Sequence, residues 1–452
     1  MLAATINQAK DNGGFSDPFT HCKITLIHKR DDKEILSNYR SITLSNTASR
    51  IFERILTLRV KPLLQQMIHE HQRAYVPGRS IAEILLAVEN AIRFCEEDDV
   101  EGFLLSLDLR KAFDNTRKEF IADALKAFGL PSEYIALVGL CFRRTVMAGV
   151  DGQATPPMLV ENGLKQGSAL SPVLFIIALE GLLLAIEDDP QVPPLTLRQC
   201  ESKLRGYADD ISLFLPQLQV IPAIVDTAME FERAAGPGIG MTKSWILPMG
   251  KPSNLPHEAF GFTILAAGDE RKLLGSTFGT DMTEATKKSW KHRAGAFCGV
   301  AQQWDPSAIH YAHRALAHTV FMMSKLVYAY SHQLPTDAES KAIKNTGLRF
   351  LWHGGPNLAI AKNIVGLSHG GIGWRNPSYV WSSLQARWIP IGMRNPRDLS
   401  SLGFVDAMTK AVANLLGSGD ATIAFTSVNH TMFDLLPYLN RDDLKKVEEH
   451  CH

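Results

Sequence analysis

Two short apolar runs set the frame of the chain. Phe103-Leu104-Leu105-Ser106-Leu107 is nearly continuous in apolar character, which predicts a buried strand, and it ends in Asp108. Ile211, Leu213 and Leu215 alternate with Ser212 and Phe214, which predicts a second strand with one face in a core. Just before it, Gly206 and Ala208 suit a hairpin turn that carries the adjacent acids Asp209 and Asp210. Ile24-Thr25-Leu26-Ile27 reads as another strand, running into His28, Lys29 and Arg30. Helical spacing marks residues 51–66 (Ile51, Ile55, Leu58, then Leu63) and 81–95 (Ile84, Leu85, Val88, Ile92). Residues 172–186 are apolar nearly all round and predict a buried helix, with Ser171 as N-cap and Pro172 as first helical residue. A further helix is expected near 218–235, and the pattern turns helical again from about 283.

The connections follow from turn chemistry. Residues 1–20 predict a short helix and a loop, 71–80 a loop, 96–101 a solvated acidic loop, and the Pro-rich 188–199 a surface connection. Gly236-Pro237-Gly238-Ile239-Gly240 lacks a phosphate-loop ending and reads as a flexible turn. Asp114, with Thr116 and Glu119 at capping-box spacing, is expected to open a helix that Gly129 closes. An N-cap role is preferred for it over metal binding.

Composition narrows the class. With 452 residues, 45% hydrophobic and 21% charged, the chain can bury a large core divided into two or three subdomains. The longest apolar stretch, 172–186, includes Glu180 and Gly181 and is too short for a bilayer, and Met1–Lys10 has no signal-peptide core, so no membrane role is expected. Six scattered cysteines show no metal-ligand pairing and suit a reducing compartment. Basic and acidic residues balance at 47 each, so any phosphate binding must rest on local basic faces. His310 and His313, and His450-Cys451-His452, make no complete zinc set.

The candidate chemistry lies in the acids. Taken alone, Asp209 and Asp210 fit a solvated turn as well as a site, because adjacent carboxylates repel unless a cation offsets them. Asp108, delivered at the end of its own buried strand, decides in favour of a site for hard divalent cations.

On these residues the chain resembles the reverse transcriptases of non-LTR (LINE-type) retrotransposons. Tyr207-Ala208-Asp209-Asp210 is similar to the family's catalytic hairpin, Leu107 to Asp114 to its first catalytic motif, and Gly163 to Pro172 to its nucleotide-pocket motif. Asn38 to Leu44 resembles the fingers motif, Thr242-Lys243-Ser244 the motif beside the leaving pyrophosphate, and Lys272 to Ser276 the primer-gripping hairpin. Tyr75 to Ser80, Phe350 to Gly355 and Gly370 to Gly373 resemble segments typical of LINE-type proteins. His28, Ser41 and Ala169 replace prolines common in the family.

The resemblance implies an α+β right-hand polymerase with fingers, an antiparallel-sheet palm with helices on one face, and a helical thumb. Expected boundaries are 1–100 for fingers and N-terminal segment, 101–282 for the palm interleaved with fingers, 283–360 for the thumb, and 361–452 for a C-terminal extension. It implies RNA-directed DNA synthesis with two Mg²⁺ ions (Mn²⁺ a substitute) on Asp108, Asp209 and Asp210, and Lys243 as proton donor to the leaving group. Lys29 and Arg40 would hold the triphosphate, Phe113 would wall the sugar, and Gln166 and Gly167 would shape the pocket. Expected partners are an RNA template, a DNA primer and dNTPs, with any endonuclease activity coming from a missing domain or another protein. The expected location is intracellular, in nucleus or cytoplasm, and nuclear for an active retrotransposon. The basic residues Lys287, Lys288, Lys291 and Arg293 around Trp290 suit a duplex backbone, with a solvated helix face as the near alternative. Starting almost at the fingers, the sequence is expected to be a piece of a longer element. The alternatives are a catalytically silent nucleic-acid-binding relic and an intron-maturase-type enzyme of the same fold.

Overall fold

A computed structural model describes residues 2–353, except 16, 30, 31, 143, 151, 152, 161, 199 and 253, together with short stretches between 374 and 403. The predicted strand at 24–27 is the middle of β1 (His21–His28), which pairs antiparallel with β2 (Tyr39–Ser45). Between β2 and the palm come helices α1 (Thr47–Val60) and α2 (Ile81–Glu97). Each begins on a side-chain cap: Asn46 accepts from the Ser49 amide at 2.7 Å, and Ser80 with Glu83 forms a reciprocal capping box. The acidic run is therefore split, because α2 continues through Glu97 and the loop begins at Asp98. In α1 the face set by Ile51, Ile55 and Leu58 is exposed, while Phe52, Leu56 and Val60 are buried. Both faces of that helix carry apolar residues, and the one with the aromatic ring enters the core.

β3 (Gly102–Arg110) is the predicted buried strand. β4 (Thr145–Val150) extends the first sheet by running parallel to β1. β5 (Leu204–Tyr207) and β6 (Asp210–Leu215) form the predicted hairpin, and β6 pairs antiparallel with β3. The central sheet is completed by β7 (Gly238–Ile239), β8 (Trp245–Met249), β9 (Glu258–Ala259) and β10 (Phe262–Ile264). Its order is β9-β10-β8-β3-β6-β5, with β7 on the end of β3, and every pairing except β8 with β10 is antiparallel. The glycine stretch 236–240 thus holds a short strand, not a flexible turn: Gly238 and Ile239 face Arg110 and Leu109.

Side-chain alternation sorts this sheet into two faces. Leu105, Leu107, Leu109, Ile211, Leu213 and Leu215 enter one core with α3 (Lys118–Ala127), α4 (Ser171–Asp188) and α5 (Ile221–Ala235). Leu104, Phe214 and Leu247 enter a second core with α2. The central sheet is therefore covered on both faces at this end, where one covered face was expected of the palm. Helix α4 is the buried helix anticipated, although its N-cap is Leu170, and Ser171 is already helical. Each of its fully buried Leu, Ile or Phe side chains contributes about 1.5–3 kcal/mol. Asp114 does not cap α3, whose N-cap is Arg117 without a side-chain bond; the Thr116 hydroxyl instead donates to the Ala112 carbonyl at 2.6 Å. Chain reversal after β3 leaves Thr116 closer to the preceding turn than to the next one. Gly129 does end that helix, at φ +72°. The Pro-rich 188–199 is only partly surface: Val192, Leu195 and Leu197 are buried, the last two in a hairpin with Cys200–Ser202.

Beyond the palm, β11 (Glu270–Leu273) and β12 (Ser276–Gly279) form the expected hairpin through Leu274 and Gly275, both at positive φ. Helices α6 (Met282–Gln302) and α7 (Asp337–Trp352) then enclose a third core of Trp290, Phe297, Tyr330, Ile343 and Phe350. Trp290 is wholly buried, so it cannot interleave with the exposed Lys287, Lys288 and Lys291 as a stacking platform. Its indole is too large an apolar surface for α6 to leave in water. Phe350 to His353 lie at the end of α7, whereas 354–355, 370–373 and 450–452 lie outside the described residues. No helix among the described residues is long and apolar enough to cross a membrane.

Candidate active site

Register builds the acidic centre. In the β3–β6 ladder Leu104 faces Phe214, Ser106 faces Ser212, and Asp108 faces Asp210. Partners across an antiparallel pair share a face, so that face runs from apolar under α2, through paired serines, to paired carboxylates where the helix no longer covers it. A one-residue slip of either strand would send its own acid into the apolar core beneath, so burial of the other face fixes their position. Asp209 lies between Ala208 and Asp210 in the two-residue turn, with Ala208 at φ +55°.

The electrostatics agree. Burial raises the Asp210 carboxyl to about 6, and Asp209 and Asp108 push it the same way while Lys243 opposes them. Asp209 is also raised, by burial first and Asp108 next among the raising causes, against its own backbone hydrogen bond and the charges of Lys243 and Arg40. An adjacent pair of acids, a third acid about a hundred residues upstream and two cations thus act on one centre. The Lys243 ammonium is 3.6 Å from Asp108 Oδ2, an oxygen that is buried without a hydrogen-bond partner.

The loop after β7 shapes the other side of Asp108, and sequence reasoning missed its part. The Gly240 amide donates to the Asp108 carbonyl at 2.7 Å, and the Asp108 amide donates to the Ser244 hydroxyl at 3.0 Å. A Cβ on Gly240 would stand 2.6 Å from Asp108 Oδ2, so only glycine leaves that carboxylate where it is. The signal was the glycine cluster itself.

A second brace holds the hairpin from behind. Gln72, fully buried, accepts from the Ala74 and Ala208 amides, both at 2.9 Å. The Gly206 amide donates to the His71 carbonyl, and the Arg73 amide to the Gly206 carbonyl. That segment is held in turn by Arg79, which donates to the carbonyls of Ile68, His69 and Gln72, and by Glu180, which accepts from the His69 amide at 2.6 Å. Tyr75, at φ +60°, stands close enough for Asp209 to raise its phenol, after burial and Tyr207. Residues 75–80 were legible as a segment; the role of Gln72 was not, since a lone Gln in a loop carries no pattern.

Arg40 is exposed on β2, and its charge reaches Asp209. Lys29 is exposed at the end of β1, its amide donating to the Asn38 carbonyl; among the described residues no hydrogen bond or ion pair joins its ammonium to the acids. Gln166 donates to Asp114 Oδ1 at 3.0 Å, and its carbonyl accepts from the Thr43 amide at 2.8 Å, which ties the pocket loop to β2. Gly167 (φ +109°) is needed for this backbone path, since a Cβ would meet the Thr43 carbonyl at 3.1 Å. Its close neighbour among the described residues is the chain's own β2. Lys165, unremarked in the sequence, is buried against Glu53 of α1 as an ion pair. Phe113 is half-buried and stacks on Phe175 of α4, centroids 4.7 Å apart and planes at 22°.

Among the described residues no three His, Cys, Asp or Glu side chains are gathered into a closed ion-holding group. The donor chemistry still fits a hard divalent cation: carboxylate oxygens only, one of them buried and unbonded, at the end of a rigid sheet. A protein-family model described as reverse transcriptase (RNA-dependent DNA polymerase) matches residues 27–278. The chain belongs to the reverse transcriptase family. Reverse transcriptases generally use divalent metal ions, in keeping with this donor set, and the fold is the right-hand polymerase. Transposon TX1 uncharacterized 149 kDa protein of Xenopus laevis is 25% identical over 224 residues, 49% of this chain and 17% of that protein. The retrovirus-related Pol polyprotein from type-1 retrotransposable element R2 of Popillia japonica is 30% identical over 237 residues, 51% of this chain and 32% of that protein. The RNA-directed DNA polymerase from mobile element jockey of Drosophila melanogaster is 24% identical over 227 residues, 49% of this chain and 24% of that protein. The reverse transcriptase described here is thus similar to proteins of non-LTR elements, and spans no more than about a third of these three. A telomerase of Candida tropicalis superposes with a TM-score of 0.43 at 12% identity, covering 99% of this chain and 66% of that one, too loosely to add to the assignment.

Proposed function

We propose that this chain carries out RNA-directed DNA synthesis for a non-LTR retrotransposon, extending a primer 3′-hydroxyl with dNTPs. The observation that carries the reading is the register that sets Asp108 opposite Asp210, with Asp209 in the adjoining turn and the charges of Lys243 and Arg40 on the same centre. In this reading residues 1–100 supply fingers, 101–282 the palm, 283–360 the thumb and 361–452 an extension.

Asp108, Asp209 and Asp210 would hold two Mg²⁺ ions, with Mn²⁺ as a substitute. When bound, such ions lower the pKa of the primer hydroxyl and neutralise charge on the triphosphate. The hydroxyl oxygen attacks the α-phosphorus, its proton leaves to solvent or base, and the bond to pyrophosphate breaks. Arg40 binds triphosphate oxygens through parallel hydrogen bonds and Lys29 adds a second cation. Lys243, already beside the acids, gives a proton to the departing pyrophosphate. Phe113, its ring fixed by Phe175, walls the sugar, and the Gln166–Gly167 loop shapes the pocket. Template RNA and primer DNA complete the substrate, and the working compartment is intracellular, the nucleus for an active element.

Primer extension on matched RNA and DNA templates with Mg²⁺ tests the reading. dNTP-dependent product on RNA is expected. A folded chain that binds template–primer and extends it on neither template would overturn it.

A further inference from the structure

Behind the catalytic hairpin lies a buried ionic cluster that the chemistry above does not use. Arg205, on β5, and Arg73, in the segment that braces the hairpin, are both almost fully buried. Two guanidiniums so placed demand buried anions, since an uncompensated charge in the interior is strongly destabilising. Glu83 of α2 supplies one, 3.0 Å from Arg73. The other comes from far along the chain: Asp398 Oδ2 lies 2.9 Å from Arg205 and 3.3 Å from Arg73.

Asp398 is itself placed with care. Its other oxygen accepts from the Ser400 hydroxyl at 2.5 Å and the Ser400 amide at 2.8 Å. Asn90 of α2 donates to the carbonyls of Leu399 and Ser400, and Leu399 is buried in the second core. Burial alone would raise the Asp398 carboxyl, but Arg205, Ser400 and Arg73 together hold it below the usual range, so it is the ionised form that is built in. One carboxylate oxygen therefore links the two backbones whose mutual hydrogen bonds, Gly206 to His71 and Arg73 to Gly206, fix the turn that carries Asp209.

We propose that Asp398 is a positioning residue for the polymerase reaction: a segment beyond the thumb staples the catalytic hairpin to its brace through Arg205 and Arg73. The proposal rests on the polymerase reading for its effect on turnover, but not for its effect on the hairpin.

The test compares the full chain with its Asp398→Asn variant in two measurements. Amide hydrogen exchange, without metal or substrate, reads the brace: exchange at Gly206 and Ala208 is expected to become at least about tenfold faster, while amides of the thumb core stay unchanged. Primer extension normalised to folded, template-bound enzyme reads the chemistry: kcat should fall about tenfold or more, with the dNTP KM within about threefold. A purely structural loss would lower the folded fraction and leave normalised kcat alone. Unchanged exchange at the two amides in a folded variant overturns the staple, and faster exchange with unchanged kcat overturns the positioning role. If the Asn variant does not fold, Ser400→Ala decides: it removes only the hydroxyl that orients Asp398, and exchange two- to fivefold faster at the same amides supports the staple, whereas unchanged exchange overturns it. A wild-type chain that extends nothing refutes the polymerase reading, and the exchange result still settles the staple.

Discussion

The two halves of the proposed site are built by opposite means. Asp108, Asp209 and Asp210 sit where two strands of the central sheet meet, and each backbone position is held by register, by the Gly240–Ser244 loop or by Gln72. Arg40 stands exposed on the first sheet and Lys29 just past its end, both on long side chains without a hydrogen bond or ion pair among the described residues. The difference follows from what each half must do. Short carboxylates can ligate an ion only from a fixed backbone, whereas a cation on a long stem can follow a mobile triphosphate. Chemistry should therefore depend on the sheet, and affinity on the exposed cations.

The largest effect is expected where a ligand oxygen is lost. Asp108→Asn or Asp209→Asn should lower kcat by at least about a thousandfold, several kcal/mol of transition-state stabilisation, while filter binding of template–primer changes little. Next comes Gly240→Ala, which removes no ligand but displaces Asp108 Oδ2; steady-state kinetics should show a loss of about a hundredfold in kcat. Arg40→Ala belongs to the other half, and its signature should be a dNTP KM raised about tenfold with kcat nearly kept. If Arg40→Ala cost mainly kcat, the division between the halves would be wrong.

Smaller effects sharpen the picture. Phe113→Val should open space beside the sugar, raising the ratio of ribo- to deoxynucleotide kcat/KM about tenfold. Because Phe113 also stacks on Phe175, a stability loss of about 1–3 kcal/mol should accompany it. An unchanged ratio in a folded variant would return Phe113 to the core alone. The smallest effect on turnover is expected at Glu180, which burial raises to about 7 against the His69 amide and Arg79. Between 4.5 and 7 the folded chain holds this proton more tightly than the unfolded one, so stability should fall as pH rises through that window. Denaturant melts should show wild type losing about 2 kcal/mol relative to Glu180→Gln from pH 5 to pH 7, with the two curves parallel above it.

What was legible in the sequence was local. The nearly continuous apolar run before Asp108 and the alternation after Asp210 pointed to both strands and their acids, because an apolar run, a period of two and a strand end are visible in a few residues. The length and apolarity of 172–186 gave the buried helix α4. What stayed hidden is held by distant contacts. Asp114 has the spacing of a cap, yet the turn after β3 and Gln166, 52 residues away, claim it. Trp290 sits among lysines in sequence, but its pitch on α6 turns it into the third core. Gln72, Ser244 and Asp398 act across 136, 136 and 193 residues, on Ala208, Asp108 and Arg205 respectively. No short-range pattern encodes such pairings; only the folded sheet brings them together.

In the proposed function this sheet end performs RNA-templated nucleotidyl transfer. The most direct measurement sets wild type beside Asp209→Asn on one RNA template with a DNA primer, dNTPs and Mg²⁺, with binding and extension read from the same preparation. Wild type should extend the primer, and the variant should bind template–primer to within a few-fold while extending at least about a thousandfold more slowly. Extension by Asp209→Asn at the wild-type rate would contradict the account.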